Sequence, residues 1–230
     1  MRVDVAFTPD EAKTATVGIV VDVVRASSTI VQALDSGYRR VLCCAEVEEA
    51  FALREELGEG ALAGERLAAT VPGFDFGNSP RDMLEPNGET LILTTTNGTR
   101  AVVAAARQCE TVLVGSLLNL DAVVAAAAAN AHGEGVVVLC AGVEGRRSED
   151  DVYCAGRIAE RLSTDFSEAA EEAITVARSF PSAHEALSAS INPQQAGLTE
   201  DVAWCARENV CTVAPRVSGM HGAAAVVTAS

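Results

Sequence analysis

Short runs of aliphatic and β-branched residues alternate along the chain with segments that have helical periodicity. The run VGIVVDVV at 17–24 predicts a buried strand, and residues 26–37 predict a helix that ends at Gly37. Because the apolar runs are continuous and each leads into a helix, they predict an α/β fold: a three-layer sandwich with a largely parallel (mixed) sheet covered by helices on both faces. The pattern recurs in further runs at 39–45, 91–94, 111–115 and 136–142.

Two stretches depart from this pattern. Residues 64–88 are rich in Gly, Pro and Asn and have little periodicity, and a loop of that length in a compact domain is usually functional. From about residue 164 the chain is helical and polar, and the run VCTVA at 210–214 is a candidate for a late edge strand. The sequence has no strong internal repeat and no low-complexity tail, so we predict one domain over residues 1–230.

Composition and charge narrow the function. The 230 residues carry a formal net charge of −15, which repels polyanions and argues against nucleic acid and anionic membrane surfaces as partners. No apolar run approaches the roughly 18 residues of a membrane span, and the N-terminus has no apolar signal core, so we expect a cytoplasmic protein. A small anionic substrate stays compatible with this charge, because a local Arg, a metal ion or a helix N-terminus can bind it. The sequence leaves open whether the chain forms a homo-oligomer.

The first cluster of polar side chains follows the strand predicted at 17–24. Asp22 lies at the end of the strand, Arg25 comes next, and Ser27 and Ser28 stand where the helix begins. A carboxylate, a guanidinium and a helix N-terminus together favour a Mg²⁺ ion beside a phosphate. The alternative is that Ser27 or Ser28 caps the helix and that Arg25 pairs with Asp22.

A second cluster follows the apolar run at 91–94. A glycine permits a tight turn there, and hydroxyl and backbone N–H groups around it can surround an anion. An ordinary strand-to-helix turn explains the same residues. The candidate binding residues are Thr95, Thr96, Asn97, Gly98 and Thr99.

Acidic residues at 149–151 form a third cluster. Ser148 and Asp151 have the spacing of a capping box, but three successive acids exceed what a helix cap needs. Metal ligation by one or two of them is one interpretation. An acidic first turn that the helix dipole favours is the other.

The long loop at 64–88 supplies a fourth cluster. Glu65 could complete a metal site, and Asn78 and Ser79 could bind ligand oxygens. A surface ion pair with Arg66 and an ordinary Asn-Ser-Pro turn are the alternatives. In open α/β sheets ligands bind beyond the carboxyl ends of the strands, so four such clusters at one sheet edge favour a binding site.

The motifs in order resemble those of the 2-phosphosulfolactate phosphatase (ComB-type) family. The resemblance extends from about residue 3 to about residue 216 and implies an α/β fold. It also implies Mg²⁺-dependent hydrolysis of a phosphate monoester, which yields 3-sulfolactate and phosphate in the coenzyme M pathway. The matching strings are VDVVRASSTIVQAL, GER, GFDFGNSP, TTTNGTRA, GSLLN and CAG…SEDDVYCAG.

The sequence departs from the family pattern in two places. Leu67 and Ala68 follow Gly-Glu-Arg where glycines are expected, and SEDD replaces Ser-Leu-Glu-Asp. The second departure leaves the choice of metal ligand among residues 149–151 open. The matches that carry over are Asp22, Arg25, Glu65, Arg66, Asn78, Ser79, Thr95 to Thr99, Glu149 and Asp150.

These residues suggest a mechanism. Asp22, with Glu65 or an acid among 149–150, would hold Mg²⁺ beside the phosphate, and Arg25 or Arg66 would bind the phosphate or the sulfonate. A water would attack in line, or Asp22 would attack directly and form an aspartyl phosphate. The competing functions are a sibling phosphatase for another small phosphorylated carboxylate or sulfonate, a non-catalytic anion-binding module, and phosphoryl transfer to an acceptor other than water.

Overall fold

A computed structural model describes residues 1–11, 14–133, 135–190 and 198–229. In these ranges the chain alternates between strands and helices, as the apolar pattern predicts. The strands are β1 Arg2–Ala6, β2 Ala15–Val21, β3 Arg40–Cys44, β4 Ala61–Arg66, β5 Ala69–Thr70, β6 Thr90–Thr94, β7 Cys109–Val114, β8 Val136–Cys140, β9 Asp165–Phe166, β10 Arg216–His221 and β11 Ala224–Thr228. The α-helices are α1 Ala26–Ser36, α2 Val47–Leu57, α3 Gly98–Ala105, α4 Leu120–Asn130, α5 Glu149–Leu162, α6 Glu168–Ser179, α7 Ala183–Ser190 and α8 Leu198–Cys205.

The strands of the described ranges form one sheet in the order β5-β4-β6-β3-β11-β10-β7-β2-β8-β1-β9. Pairing is parallel within the group β4-β6-β3 and within the group β7-β2-β8-β1-β9. The antiparallel hairpin β10–β11 joins the two groups, since β11 pairs with β3 and β10 pairs with β7. The sheet is therefore mixed, which confirms the predicted fold class.

Side chains alternate between the two faces of each strand, and helices cover both faces. On one face, alternate residues of strands β2, β3, β6, β7, β8 and β11 pack with helices α1 and α3 in a shared core. On the other face, α4 to α8 cover β2, β7 and β8, and α2 covers β3, β4 and β6. The three layers follow directly from this alternation.

The helix ends agree with the glycine signals. Gly37 and Gly58 both adopt left-handed backbone conformations, with φ of 119° and 65°, directly after α1 and α2. A residue without a Cβ reaches this region at no steric cost, and its backbone N–H bonds the last helical carbonyls.

Two elements differ from the sequence prediction. The run at 210–214 forms no strand, and the chain instead makes the hairpin β10–β11 after Pro215, near the middle of the sheet rather than at its edge. Proline has no N–H to donate, so the strand begins after it. The loop expected at 64–88 begins inside β4, which continues to Arg66 and turns into β5. The single-domain boundary at 1–230 stays a prediction.

No helix in the described ranges is both long and apolar enough to cross a bilayer. The longest of them, α5, has 14 residues and is amphipathic, with acids in its first turn. A helix that spans a membrane needs about 20 predominantly apolar residues.

The central position of the C-terminal hairpin predicts unequal effects for two substitutions on one rung. Ala225 is fully buried and stands opposite the exposed Met220. Ala225→Asp buries a charge without a partner and is expected to cost about 3 kcal/mol or more of the free energy of unfolding. Met220→Asp adds the same charge in water and is expected to cost about 0.5 kcal/mol or less. Urea unfolding measures both, and equal costs would contradict a central hairpin.

Candidate active site

The carboxyl ends of strands β2, β4, β6 and β8 open into one cleft of about 370 Å³. Five strands lie between β4 and β2 in the sheet order, so six strand spacings of about 4.8 Å would separate them by roughly 29 Å in a flat sheet. Because residues from both strands line the same cleft, the sheet must curve, and α3 contacts strands in both halves of it. The lining residues include Asp22, Arg25, Glu65, Asn78, Thr96, Asn97, Gly142, Glu144, Ser148, Asp150 and Asp151.

The start of α3 touches the end of β2. A Cβ atom built on Gly98 would stand 2.4 Å from Asp22 Oδ2 and 2.5 Å from the Ala26 Cβ. Such separations are far below van der Waals contact, so this position accepts only glycine without a shift of Asp22. The absence of a side chain at Gly98 therefore lets the start of α3 pack directly against the end of β2.

Asp22 is held by the turn that follows its own strand. Its Oδ1 accepts a hydrogen bond from the Ala26 N–H at 3.2 Å. Ser27 Oγ donates to the Asp22 carbonyl at 2.8 Å, and Ser28 Oγ donates to the Val23 carbonyl at 2.7 Å. Neither serine caps α1 or lines the cleft. The sequence predicts that Ser27 and Ser28 bind substrate. In the structure their hydroxyls instead hydrogen-bond within the turn after β2.

Arg25 lines the cleft but does not pair with Asp22. Its Nη1 donates to Asp201 Oδ2 at 2.8 Å, and both side chains are almost completely buried. The other oxygen of Asp201 accepts a hydrogen bond from Ser79 Oγ at 2.6 Å. Ser79 accordingly bonds to the protein and does not line the cleft.

Glu65 is buried at the cleft wall and is fixed by two backbone amides. Its Oε1 accepts from the Thr96 N–H and its Oε2 from the Ala68 N–H, both at 2.8 Å. Arg66 makes no ion pair with it and does not line the cleft. Its guanidinium instead donates to the carbonyls of Glu65 and Ala45 and to Thr94 Oγ1. Arg66 thus ties β4 to neighbouring segments.

The residues of the threonine-rich turn at 95–99 fall into two groups. Thr95 and Thr99 are buried and bond to each other, with the Thr95 N–H donating to Thr99 Oγ1 at 2.9 Å and the Thr99 N–H donating to Thr95 Oγ1 at 3.1 Å. Thr96 and Asn97 line the cleft. The turn predicted to bind an anion as a whole therefore presents two of its five candidates to a ligand.

Two buried oxygens at the cleft have no hydrogen-bond partner among the residues that the structure describes. They are Asn78 Oδ1 and Thr96 Oγ1. Buried polar atoms in native proteins nearly always have a partner, and an exception suggests a ligand, ion or water. Both residues line the cleft, so a bound group there would satisfy them.

The three acids at the start of α5 point in different directions. Asp150 lines the cleft and accepts a hydrogen bond from Ser148 Oγ. Asp151 also lines it, but its two oxygens accept from the N–H groups of Val23 at 2.9 Å and Gly142 at 3.0 Å. Ser148 and Asp151 form no capping box.

The predicted metal ligand Glu149 lies outside the cleft. It is exposed and pairs with Arg147. Successive helical residues are rotated by about 100° around the axis, so neighbouring acids in one turn cannot all face the same cleft. Asp150, and not Glu149, is the acid of this pair that the structure brings to the site.

Negative charge is crowded in the cleft. Five carboxylates line it, from Asp22, Glu65, Glu144, Asp150 and Asp151, and Arg25 is the one cation among the described lining residues. Burial, with the nearby Asp150 and Glu65 carboxylates, raises the pKa of Asp22 from 3.8 to about 7. Burial and the neighbouring acids likewise raise the pKa of Asp151 well above its ordinary value, and burial raises that of Asp150. Folding thus removes these carboxylates from the water that would stabilise their negative charge.

This donor set fits Mg²⁺ in an open site. In the described ranges no group of three or more His, Cys, Asp and Glu side chains is placed to hold a metal ion by itself. Mg²⁺ does not require one, because it keeps several waters and binds one or two carboxylates together with substrate phosphate. The carboxylates and the unpartnered oxygens of Asn78 and Thr96 are hard ligands of the kind this ion prefers.

The fold and the cleft are those of an α/β enzyme with its site at the carboxyl ends of the strands. The chain belongs to the 2-phosphosulpholactate phosphatase family, whose sequence model matches residues 5–219. This confirms the family predicted from the motifs, a family of phosphoric monoester hydrolases.

Relatives match over most of their length. The chain is 38% identical to the probable 2-phosphosulfolactate phosphatase of Thermus thermophilus over 217 residues, which cover 90% of each chain. It is 38% identical to the protein of the same name from Deinococcus radiodurans over 224 residues, 94% of this chain and 92% of that one. The 2-phosphosulfolactate phosphatase of Methanothermobacter thermautotrophicus is 36% identical over 214 residues, 91% and 89% of the two chains.

Sequence reasoning missed Asp201, which touches the site. Asp201 lies in α8 and reaches Arg25 from 176 positions away in the chain, so no local pattern identifies it. The sequence leaves the metal ligand open among the three acids at 149–151, and of these the structure places Asp150 and Asp151 at the cleft.

Replacing Asp22 with Asn is expected to stabilise the metal-free protein at pH 8. Between its ordinary pKa of 3.8 and about 7, the folded state binds more protons at Asp22 than the unfolded state does, so stability falls as the pH rises through this window. The neutral amide removes that cost, with an expected gain of about 1–2 kcal/mol at pH 8 and a smaller gain at pH 5. Urea unfolding with a chelator measures both. A variant no more stable than wild type at pH 8 would refute the crowding of charge.

Proposed function

We propose that this protein is a Mg²⁺-dependent phosphatase that hydrolyses 2-phosphosulfolactate to 3-sulfolactate and phosphate, a reaction of coenzyme M synthesis. The observation that carries the proposal is the cleft itself, in which five carboxylates face one arginine. The family and the names of its members support the phosphatase activity and the substrate.

Charge balance argues for a divalent cation. The proposed substrate bears a phosphate, a carboxylate and a sulfonate, and like charges repel strongly in a partly desolvated cleft. Arg25 already shares its charge with Asp201 at 2.8 Å, so it cannot offset the substrate alone. Mg²⁺ bound at Asp22 and Asp150, with Glu65 close by, would neutralise charge on the phosphate oxygens.

The protein's own groups would orient the substrate. Arg25 suits either the phosphate or the sulfonate, because its planar guanidinium binds oxyanions with two N–H groups. Asn78 and Thr96 each hold an unpartnered oxygen at the cleft. The Thr96 hydroxyl can donate to a substrate oxygen, and the Asn78 amide can accept from a bound water.

Asp22 is the proposed catalytic carboxylate. It lies at the end of β2 and is fixed by the Ala26 N–H on one oxygen and by Gly98 packing near the other. A carboxylate held in this way can position a water for in-line attack on phosphorus, and the bond from phosphorus to the substrate's C2 oxygen then breaks. Direct attack by Asp22 is the competing route and would leave an acid-stable aspartyl phosphate that borohydride traps.

The test is phosphate release from a matched pair of esters. 2-Phosphosulfolactate and 2-phospholactate differ only in the sulfonate, and each is assayed with Mg²⁺ and with a chelator. We expect turnover that the chelator abolishes and a preference of about tenfold or more for the sulfonate ester, since one lost charged contact is worth about 1.4 kcal/mol or more. Equal turnover of both esters would favour a sibling substrate, and no turnover would refute the proposal.

The assay includes a matched pair of acid variants from one turn of α5. Asp150→Asn is expected to lower kcat/KM about a hundredfold or more and to weaken the dependence on Mg²⁺. Glu149→Gln is expected to stay within about twofold of wild type, because its side chain is exposed and pairs with Arg147. The reverse order would place the metal ligand at Glu149.

A further inference from the structure

Arg25 is the one cation among the described residues of the cleft, which five carboxylates also line. Asp22 stands three residues before it in the same turn, and both residues line the cleft. A long, flexible guanidinium with no other partner would be attracted to that carboxylate. Such a pair would occupy both the proposed catalytic acid and the proposed anion-binding residue.

Arg25 pairs with Asp201 instead. The Oδ2 of Asp201 accepts from Arg25 Nη1 at 2.8 Å, and the Asp201 side chain is 3% exposed. Asp201 approaches from α8, an element that is distant in sequence from the strand ends that build the cleft. A buried, charge-assisted hydrogen bond of this kind holds a guanidinium more firmly than a solvated one does.

The second oxygen of Asp201 fixes another wall of the cleft. It accepts from Ser79 Oγ at 2.6 Å, and Ser79 follows Asn78, whose Oδ1 has no partner in the described part of the chain. The Asn78 carbonyl in turn accepts from Thr29 Oγ1 of α1 at 3.2 Å. One carboxylate therefore joins the Arg25 turn to the Asn78 turn.

We propose that Asp201 is a positioning residue that holds the Arg25 guanidinium at the cleft wall and away from Asp22, so that Arg25 can bind the substrate's anionic group. The inference rests on the proposed function for the identity of that anion. Asp201 does not line the cleft, so it acts through Arg25 and through the Asn78–Ser79 turn. A substrate anion that binds an arginine already held in position does not have to order that side chain or separate it from another partner, so binding costs less free energy.

A double-mutant cycle tests this role. Asp201→Asn, Arg25→Gln and the double variant are compared for kcat, for KM and for binding of inorganic phosphate by calorimetry in the presence of Mg²⁺. We expect each single variant to raise KM and to weaken phosphate binding about tenfold or more, with a smaller change in kcat. The double variant should be no weaker than Arg25→Gln, because the two residues act as one unit.

Glu200→Gln is the matched control. Glu200 is the exposed acid next to Asp201 in α8. It should stay within about twofold of wild type in both binding and turnover. Asp201→Glu replaces Asp201→Asn in the cycle if the amide variant does not fold, since it keeps the charge but displaces it by one methylene.

Two results would overturn the proposal: losses that multiply in the double variant, or phosphate binding by Asp201→Asn that equals wild type. If the wild-type protein neither binds phosphate nor releases it from any ester, the proposed function fails separately. The crystal structure of Asp201→Asn then decides the present inference. Arg25 turned toward Asp22 would support it, and Arg25 in its original position would overturn it.

Discussion

Mutual repulsion among buried carboxylates is the constraint on which the site depends. Asp22, Glu65 and Asp151 are held in place by backbone N–H groups, which offset part of the cost of desolvation. The compensation is incomplete, because burial and like charge still raise the pKa of Asp22 to about 7. A cation that binds in the cleft therefore offsets the repulsion among these carboxylates. Cation binding, on which the proposed activity depends, is thus linked to the stability of the folded protein.

The curved sheet makes the crowding possible. The two parallel groups of strands meet through the β10–β11 hairpin, and helices α1 and α3 share one core with strands of both groups. Close packing at Gly98 then brings the turn after β6 against Asp22 at the end of β2. Each contact is ordinary, but together they place acids from strands far apart in the sheet in one cleft.

The sequence predicts what depends on neighbouring residues. Continuous apolar runs identify the parallel strands, and Gly37 and Gly58 mark helix ends, because these signals arise from local backbone chemistry. The end of the strand predicted at 17–24 also identifies Asp22 and Arg25 as candidates, and the long loop at 64–88 identifies Glu65. Their roles remain proposals, although all three line the cleft.

What the sequence does not predict depends on distant contacts. The C-terminal hairpin pairs with strands from the first half of the chain, and Asp201 reaches Arg25 from α8. The choice between Glu149 and Asp150 depends on how α5 is rotated, which the packing of its apolar face decides. Ser27, Ser28 and Arg66 have the chemistry of ligand-binding groups, yet they bond to the protein's own backbone.

Calorimetric titration of the metal-free protein with Mg²⁺ tests the central claim most directly. The titration is repeated at pH 7 in buffers of different ionisation enthalpy, which reports the protons released per ion bound. A cation that binds at Asp22 must displace the proton that crowding holds there, so we predict release of about half a proton at pH 7 and almost none at pH 9. Binding without proton release at pH 7, or no binding at all, would contradict the account.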